Sequence, residues 1–310
     1  MSATIPLYSR ASDLRTFLLS DGCEAAWLLK HLYPDETPDT TWFALGTALH
    51  EGFEACILND LDLDELLGEV ELNLQIAVGS AKRTGMIENT ARTAKRTKAT
   101  MFNDAERIAT KWYNNVHPDG NARSEIFEDY EWPPRVEHEI RLTPRNQDLH
   151  LFTTVDAIFI DGKFGEEVMI VDWKTGNSKT AAASQLQTYF YGGRKEGWID
   201  KRQDLLVGRF WHCEHEKDQP VFDYVGDQVV EDWIFRTSKA KAALLDSGRP
   251  VYNPGWVCRF CPSKQQCPVM GEGSFEDVGN RLAEADVIYA PAENNQEERE
   301  WHSIRKPTIM

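Results

Sequence analysis

Along the first 115 residues, apolar positions recur at helical spacing. Leu14, Phe17 and Leu18 predict a helix capped at Ser9 or Ser12 and broken at Asp21-Gly22, and a second helical segment runs from Cys23 to about Tyr33. Phe43 to Leu58 predicts a third, with Leu49, Phe53 and Ile57 on its buried side. The period then changes. Arg135 to Leu142 alternates through Val136, His138, Ile140 and Leu142, Leu149 to Ile160 is rich in β-branched and aromatic residues, and Val168 to Trp173 is a short apolar strand. Between the last two, Asp161-Gly162-Lys163-Phe164-Gly165 is turn chemistry. Ala181 to Arg194 reads as a helix and Asp204 to Cys213 as a further strand. Helices, a strand meander, a helix and a strand predict an α/β or α+β protein with a helical insertion around 60–130.

Charge alters this picture in three places. Six acidic residues and no basic one lie between Asp60 and Glu71, as on a solvated helix face, whereas 82–111 carries eight basic residues against three acidic ones. The tail from Glu272 is acidic again, with few apolar residues at any period, and predicts a loosely held extension. With 34 basic and 50 acidic residues the net charge is -16, which repels a polyanion at long range. Any phosphate track must therefore be local, and Lys95, Arg96 and Lys98 in the basic stretch are its candidates. No apolar run approaches the roughly 20 residues of a membrane span. MSATIPLYSRASD has no basic region followed by an apolar one. A cytoplasmic protein with no membrane partner is expected. Six cysteines are too few for a disulfide scaffold in a chain of 310 residues, which leaves metal ligands or inert core thiols.

The informative stretch is TTVDAIFIDGKFGEEVMIVDWKTG. Asp172 and Lys174 stand two apart at a strand end, so their side chains share a face. A hairpin centred near Phe164 puts Asp156 across from Asp172. Facing β-carbons lie about 4.5–5.5 Å apart, and like charges there destabilise the sheet. A divalent ion with oxygen ligands supplies the compensating charge. Standing alone, Asp-x-Lys fits a surface ion pair equally well. It has company: Gln185 and Tyr189 lie four apart on one helical face, and His50 follows Gly46 by four in LGTALHEGFEA.

Taken in order, these residues resemble the PD-(D/E)xK nuclease superfamily, in particular its RecB-like exonuclease branch. That branch carries a G-x-x-x-H helix, an Asp on one strand, D-x-K on the next and Q-x-x-x-Y on the following helix. Here these stand as Gly46 and His50, Asp156, Asp172-Trp173-Lys174, and Gln185 and Tyr189. A Glu on the preceding strand is also usual, and Glu137 or Glu139 fills that place. The resemblance, over roughly residues 9–270, implies a restriction-endonuclease-like core with a central mixed sheet flanked by helices. It implies that His50, Asp156, Asp172 and the Trp173 carbonyl hold Mg²⁺ or Mn²⁺, and that Lys174 orients the attacking water. Gln185 and Tyr189 would position Lys174 and the nucleic acid. The implied activity is a metal-dependent DNA exonuclease, with endonucleolytic cleavage a further option, acting on single strands or duplex ends in recombination, repair or CRISPR-type processing. The chain has no P-loop and so no ATP motor of its own. A helicase, annealing or recombination protein is the expected partner.

VCRFCPSKQQCPV supplies Cys258, Cys261 and Cys267, and Cys23 is the candidate fourth ligand. C-x2-C fits zinc as easily as iron–sulfur. One distant N-terminal Cys with a C-terminal C-x2-C-x5-C is similar to the [4Fe–4S] staple of AddB-type helicase–nucleases and RecB-like CRISPR-associated nucleases. That similarity implies a cluster on Cys23, Cys258, Cys261 and Cys267, stapling an N- and C-terminal subdomain. Cys56 reads as a small buried hydrophobe, and Cys213, beside His212 and His215, raises a second zinc site. Pattern and resemblance together divide the chain into N-terminal helices (1–58), a helical insertion (59–130), a nuclease core (131–250), a cysteine motif (251–270) and an acidic tail (271–310). The rival from another class is a non-catalytic iron–sulfur module that docks to a recombination complex, which gives no reason to keep Asp156, Asp172 and Lys174 together. A zinc-stabilised structural protein is the third reading and predicts a colourless preparation.

Overall fold

The computed structural model describes residues 3–19, 22–81, 85–88, 90, 95–142, 151–161, 167–175, 183–200, 205–213, 217–221 and 223–288. The first half holds β1 (Thr4–Pro6), α1 (Ala11–Leu18), α2 (Glu24–Leu32), β2 (Asp39–Thr40), α3 (Thr41–Asn59), α4 (Leu63–Ser80), β3 (Met86–Ile87), α5 (Met101–Val116) and α6 (Glu125–Glu128). Then follow β4 (Arg135–Leu142), β5 (Leu151–Ile160), β6 (Glu167–Lys174), α7 (Ala183–Glu196), β7 (Leu205–His212), β8 (Lys217–Val221), α8 (Asp227–Ser247), α9 (Phe275–Glu284) and β9 (Asp286–Ile288).

One mixed sheet runs β4-β5-β6-β7-β8. Its pairs are antiparallel except β6–β7, which is parallel and bridged in the chain by α7. In the β5–β6 ladder Ala157 faces Val171 and Ile158 faces Ile170, the register that a hairpin centred at Phe164 requires. The ladder ends at the first of these pairs, and Asp156 does not face Asp172 as expected but accepts the Trp173 N–H; the turn itself lies outside the described residues.

Alternation along the strands feeds two cores. On one face α3, α4 and α5 bury Phe53, Leu66, Trp112 and neighbours against Phe159, Val171, Trp173 and Trp211. The Phe53 and Trp112 rings stack there at 4.2 Å. On the other face α1, α7 and α8 bury Ala11, Leu186, Phe190 and Ile234 against Ile158, Ile170 and Phe210. The helices between 63 and 116 therefore complete the sheet's own core. α4 starts with a reciprocal cap in which Asp62 and Glu65 each accept the other's backbone N–H, which places part of the acidic run where the helix dipole favours it.

Two expectations are corrected. The cap of α1 is Arg10, whose N–H donates to Asp13, while the Ser9 hydroxyl is buried against that of Ser238. The tail is not loose over 275–288: α9 is capped by Ser274, Val278 packs with Leu28, Leu29 and Tyr33, and β9 pairs in parallel with β1. Val278, Leu282 and Ala285 form a narrow apolar stripe among acidic residues, which suffices because α2 covers it. Residues 289–310 lie outside the described residues. No described helix is long and apolar enough to cross a membrane.

Candidate metal centre and cysteine hollow

α3 delivers His50 to the ends of β5 and β6. A Cβ at position 46 would lie 3.2 Å from the Thr175 hydroxyl, so Gly46 is what lets the helix close on the chain leaving β6. One turn later His50 Nε2 donates to the Trp173 carbonyl at 2.9 Å, and Nδ1 lies 3.5 Å from Asp156 Oδ2. The same Asp156 oxygen accepts the Trp173 N–H at 2.8 Å. The Trp173 ring is locked edge-on against Phe53, Trp112 and Phe159. Packing of that ring thus fixes both polar ends of the residue at the centre.

Of the two glutamates offered by β4, the site takes Glu137. Ligand atoms of His50, Glu137 and Asp156 lie within 4.8 Å of one another, whereas Glu139 pairs with Arg141. Glu137 has a φ of 46°, a left-handed conformation in the middle of a strand, which costs a non-glycine residue about 1–3 kcal/mol. Burial and the nearby Asp156 charge push its carboxyl up to about 8. Burial favours a neutral His50, but Asp156 outweighs it and raises the imidazole to about 9. Burial likewise pushes Asp156 up, yet His50, Lys174 and the Trp173 N–H prevail and hold it below the usual carboxylate range.

Asp172 and Lys174 point to the α7 side. The Asp172 carboxylate is ion-paired with Lys174 and accepts from Gln185 Nε2 at 2.8 Å, and Gln185 Nε2 lies 2.6 Å from the Tyr189 hydroxyl. Burial pushes Asp172 up to about 6 against the pull of Lys174. The Lys174 ammonium lies 5.2 Å from the centre of the Phe210 ring. The structure therefore brings all six sequence-predicted side chains to one sheet end, but in two groups: His50 with Asp156, joined by Glu137, and Asp172 with Lys174, Gln185 and Tyr189. The donor set of carboxylates, an imidazole and a carbonyl fits a hard divalent cation.

Replacing Glu137 by Gly is expected to stabilise the protein in EDTA by about 1 kcal/mol, since backbone strain and carboxylate repulsion both disappear. Its affinity for Mn²⁺ should fall by on the order of tenfold or more. Thermal melts with and without Mn²⁺ read both effects, and a less stable metal-free variant would count against Glu137 as a strained ligand.

The four cysteines of the two motifs line one hollow, together with Ala26, Leu29 and Tyr252, enclosing about 360 Å³ of empty space including what is open to solvent. Cys23 caps α2, and a 3₁₀ turn at Trp256–Phe260 carries Cys258. Among the described residues no three of these sulfurs lie within 4.8 Å of one another. Burial and the charges of Cys23, Cys258 and Cys267 raise the Cys261 thiol. Cys56 is buried, its thiol donating to the Leu61 carbonyl. Cys213 is fully buried beside Trp211, no metal-binding trio forms around it among the described residues, and His215 lies outside them. Of the basic candidates, Lys95 and Lys98 are exposed, but Arg96 is buried and its Nε donates to Asp104 at 3.2 Å. The side chain of Arg96 therefore serves packing between α5 and the loop before it, not an open phosphate track.

A mixed sheet that gathers carboxylates and a lysine beside a helix-borne histidine defines a candidate site for a divalent metal ion. The family model of the PD-(D/E)XK nuclease superfamily matches residues 11–268, and the chain belongs to that superfamily, whose members are metal-dependent nucleases. No curated protein matches the sequence significantly. Among solved structures the crystal structure of SSO0001 is similar at 12% identity and a TM-score of 0.33, over 79% of this chain and 95% of that one, a likeness too low to carry any argument.

Proposed function

We propose that this protein is a divalent-metal-dependent DNA exonuclease acting on single strands or duplex ends. The observation that carries the reading is the convergence of His50, Glu137, Asp156 and the Trp173 carbonyl beside the Asp172–Lys174 pair. A bound Mg²⁺ or Mn²⁺ supplies a Lewis acid for the scissile phosphate and lowers the pKa of water. The chain's own residues do the rest. His50 and Asp156, and Asp172 if the ion draws it from Lys174, hold the cation, with Glu137 as the strained fourth ligand. Lys174 Nζ, steered by Asp172 and the Phe210 ring, orients the attacking water and offsets charge on the phosphate oxygens. Gln185 and Tyr189 keep Asp172 and Lys174 in place. Exonuclease action and a role in recombination, repair or CRISPR-type processing rest on the RecB-like order of motifs, and a helicase or annealing protein would supply the strands.

The same reading includes a [4Fe–4S] cluster on Cys23, Cys258, Cys261 and Cys267. A tetrahedral zinc site with Zn–S bonds near 2.3 Å would draw four thiols to about 3.8 Å from one another. What favours iron–sulfur over zinc is the order of the four cysteines, one distant and three in C-x2-C-x5-C, which line one hollow.

End-labelled single-stranded DNA incubated with Mn²⁺, Mg²⁺ or EDTA tests the activity. Cleavage from one end is expected with either metal and none with EDTA. Cleavage undiminished in EDTA, or no cleavage with any divalent metal, would overturn the reading.

A further inference from the structure

The net charge of -16 and the buried Arg96 leave the path of the polyanion unassigned. A different set of residues meets the need. Ser9 bridges Leu151 in parallel and its carbonyl accepts the Phe152 N–H at 2.9 Å, so residues 8–10 run along the start of β5. Tyr8 thereby meets Phe152 edge-on, ring centres 6.0 Å apart. The Arg10 guanidinium lies 5.6 Å from the centre of the Tyr8 ring, with Nη2 donating to the Tyr8 hydroxyl at 3.0 Å. Arg141, opposite Phe152 in the β4–β5 ladder, lies 5.0 Å from the centre of the Phe152 ring. Glu139 accepts from Arg141 Nη2 at 3.1 Å and fixes that fork. The outcome is a continuous row of guanidinium, ring, ring and guanidinium.

The row shares a face with the metal centre. Leu151 and Val155 belong to the core beneath α7, so alternation puts Phe152 and Thr154 on the opposite face, the side from which α3 brings His50 to Asp156. Phe152 stands about 13 Å along the strand from Asp156. Arg10 is exposed, Phe152 and Arg141 are half-buried, and Tyr8 is buried behind them, where it holds Arg10 and Phe152 in place. Rings flanked by arginine forks are the chemistry of a single-strand track: bases stack on the flat groups, and fork edges hold phosphates.

We propose that Arg10, Phe152 and Arg141, held in place by the buried Tyr8, form the track that holds a single DNA strand leading to the metal centre. The proposal rests on the nuclease reading and names where its substrate lies. Fluorescence anisotropy of a labelled oligothymidylate in EDTA, across a salt series, tests it with the full-length protein. The Arg10→Gln/Arg141→Gln double variant should bind about tenfold more weakly, with a salt slope shallower by about 1.4, because each single-strand phosphate contact contributes about 0.7. Phe152→Leu should weaken binding about fivefold or more, leave the salt slope unchanged and have no effect on an abasic strand. If the double variant fails to fold, Phe152→Leu alone carries the test. Wild-type affinity and slope in the variants would overturn the track, as would an equal loss on normal and abasic strands with Phe152→Leu. Cleavage is scored separately with Mn²⁺ on the wild type. A strand bound but never cut sinks the nuclease reading and leaves the track standing on its binding data, whereas a strand cut normally with unaltered variant binding sinks the track alone.

Discussion

Asp156→Asn is expected to slow cleavage of end-labelled single-stranded DNA by roughly a thousandfold, about 4 kcal/mol of lost transition-state stabilisation. The asparagine keeps an oxygen to accept the Trp173 N–H, which Asp156 binds at 2.8 Å, so β5 and β6 should stay in register and the fold should survive. What disappears is the negative charge that His50 and a divalent ion share. The variant should therefore also lose the thermal stabilisation that Mn²⁺ gives the wild type, because a ligand that binds only the native state stabilises in proportion to its affinity. Quantified cleavage time courses and melts with Mn²⁺ check the two halves. Turnover within tenfold of wild type would remove Asp156 from the centre.

The second large effect concerns the cysteine hollow. Anaerobically purified protein is expected to be brown, with a broad thiolate-to-iron band and about four irons per chain. Cys261→Ser should abolish the colour, while Cys56→Ser and Cys213→Ser should keep it, since both thiols are buried away from the hollow. Loss of the cluster releases a tie that closes the loop from Cys23 to Cys258. Other ties remain: Tyr33 donates to Asp277, Arg281 to Glu36 and the Leu32 carbonyl, and β1 pairs with β9. The expected damage is thus concentrated at residues 251–270, with earlier melting and aggregation, and iron analysis with visible spectra checks it. A colourless native protein with one zinc per chain would overturn the cluster and leave the nuclease centre intact, because the two sites share no ligand.

Much of the centre was legible because its signals are local. Turn residues set the register of the hairpin and the four-residue spacings put Gly46 with His50 and Gln185 with Tyr189, but the break in alternation beside Asp156, which parts it from Asp172, left no mark in the sequence. The choice between Glu137 and Glu139 was not legible. Both lie on the same face of an ideal strand, and the left-handed backbone at Glu137 is imposed by its surroundings, not by its residue type. Arg96 misled for a different reason: a run of basic residues gives no sign of which one a neighbouring helix will bury. The β1–β9 pair is three residues long on each strand, too short to show a period, and its partners stand at opposite ends of the chain.

Trp173 joins two parts of the molecule that are usually separable. Its amide and carbonyl bond the acid and the imidazole of the centre, while its ring is clamped in the main aromatic core. Its amide hydrogen is expected to exchange with solvent only when the whole domain opens, among the slowest in the protein. No partly melted form that keeps the centre is then available, and conservative trimming of Phe53 or Trp112, far from any phosphate, should disturb catalysis as a change in alignment and not merely as a loss of stability.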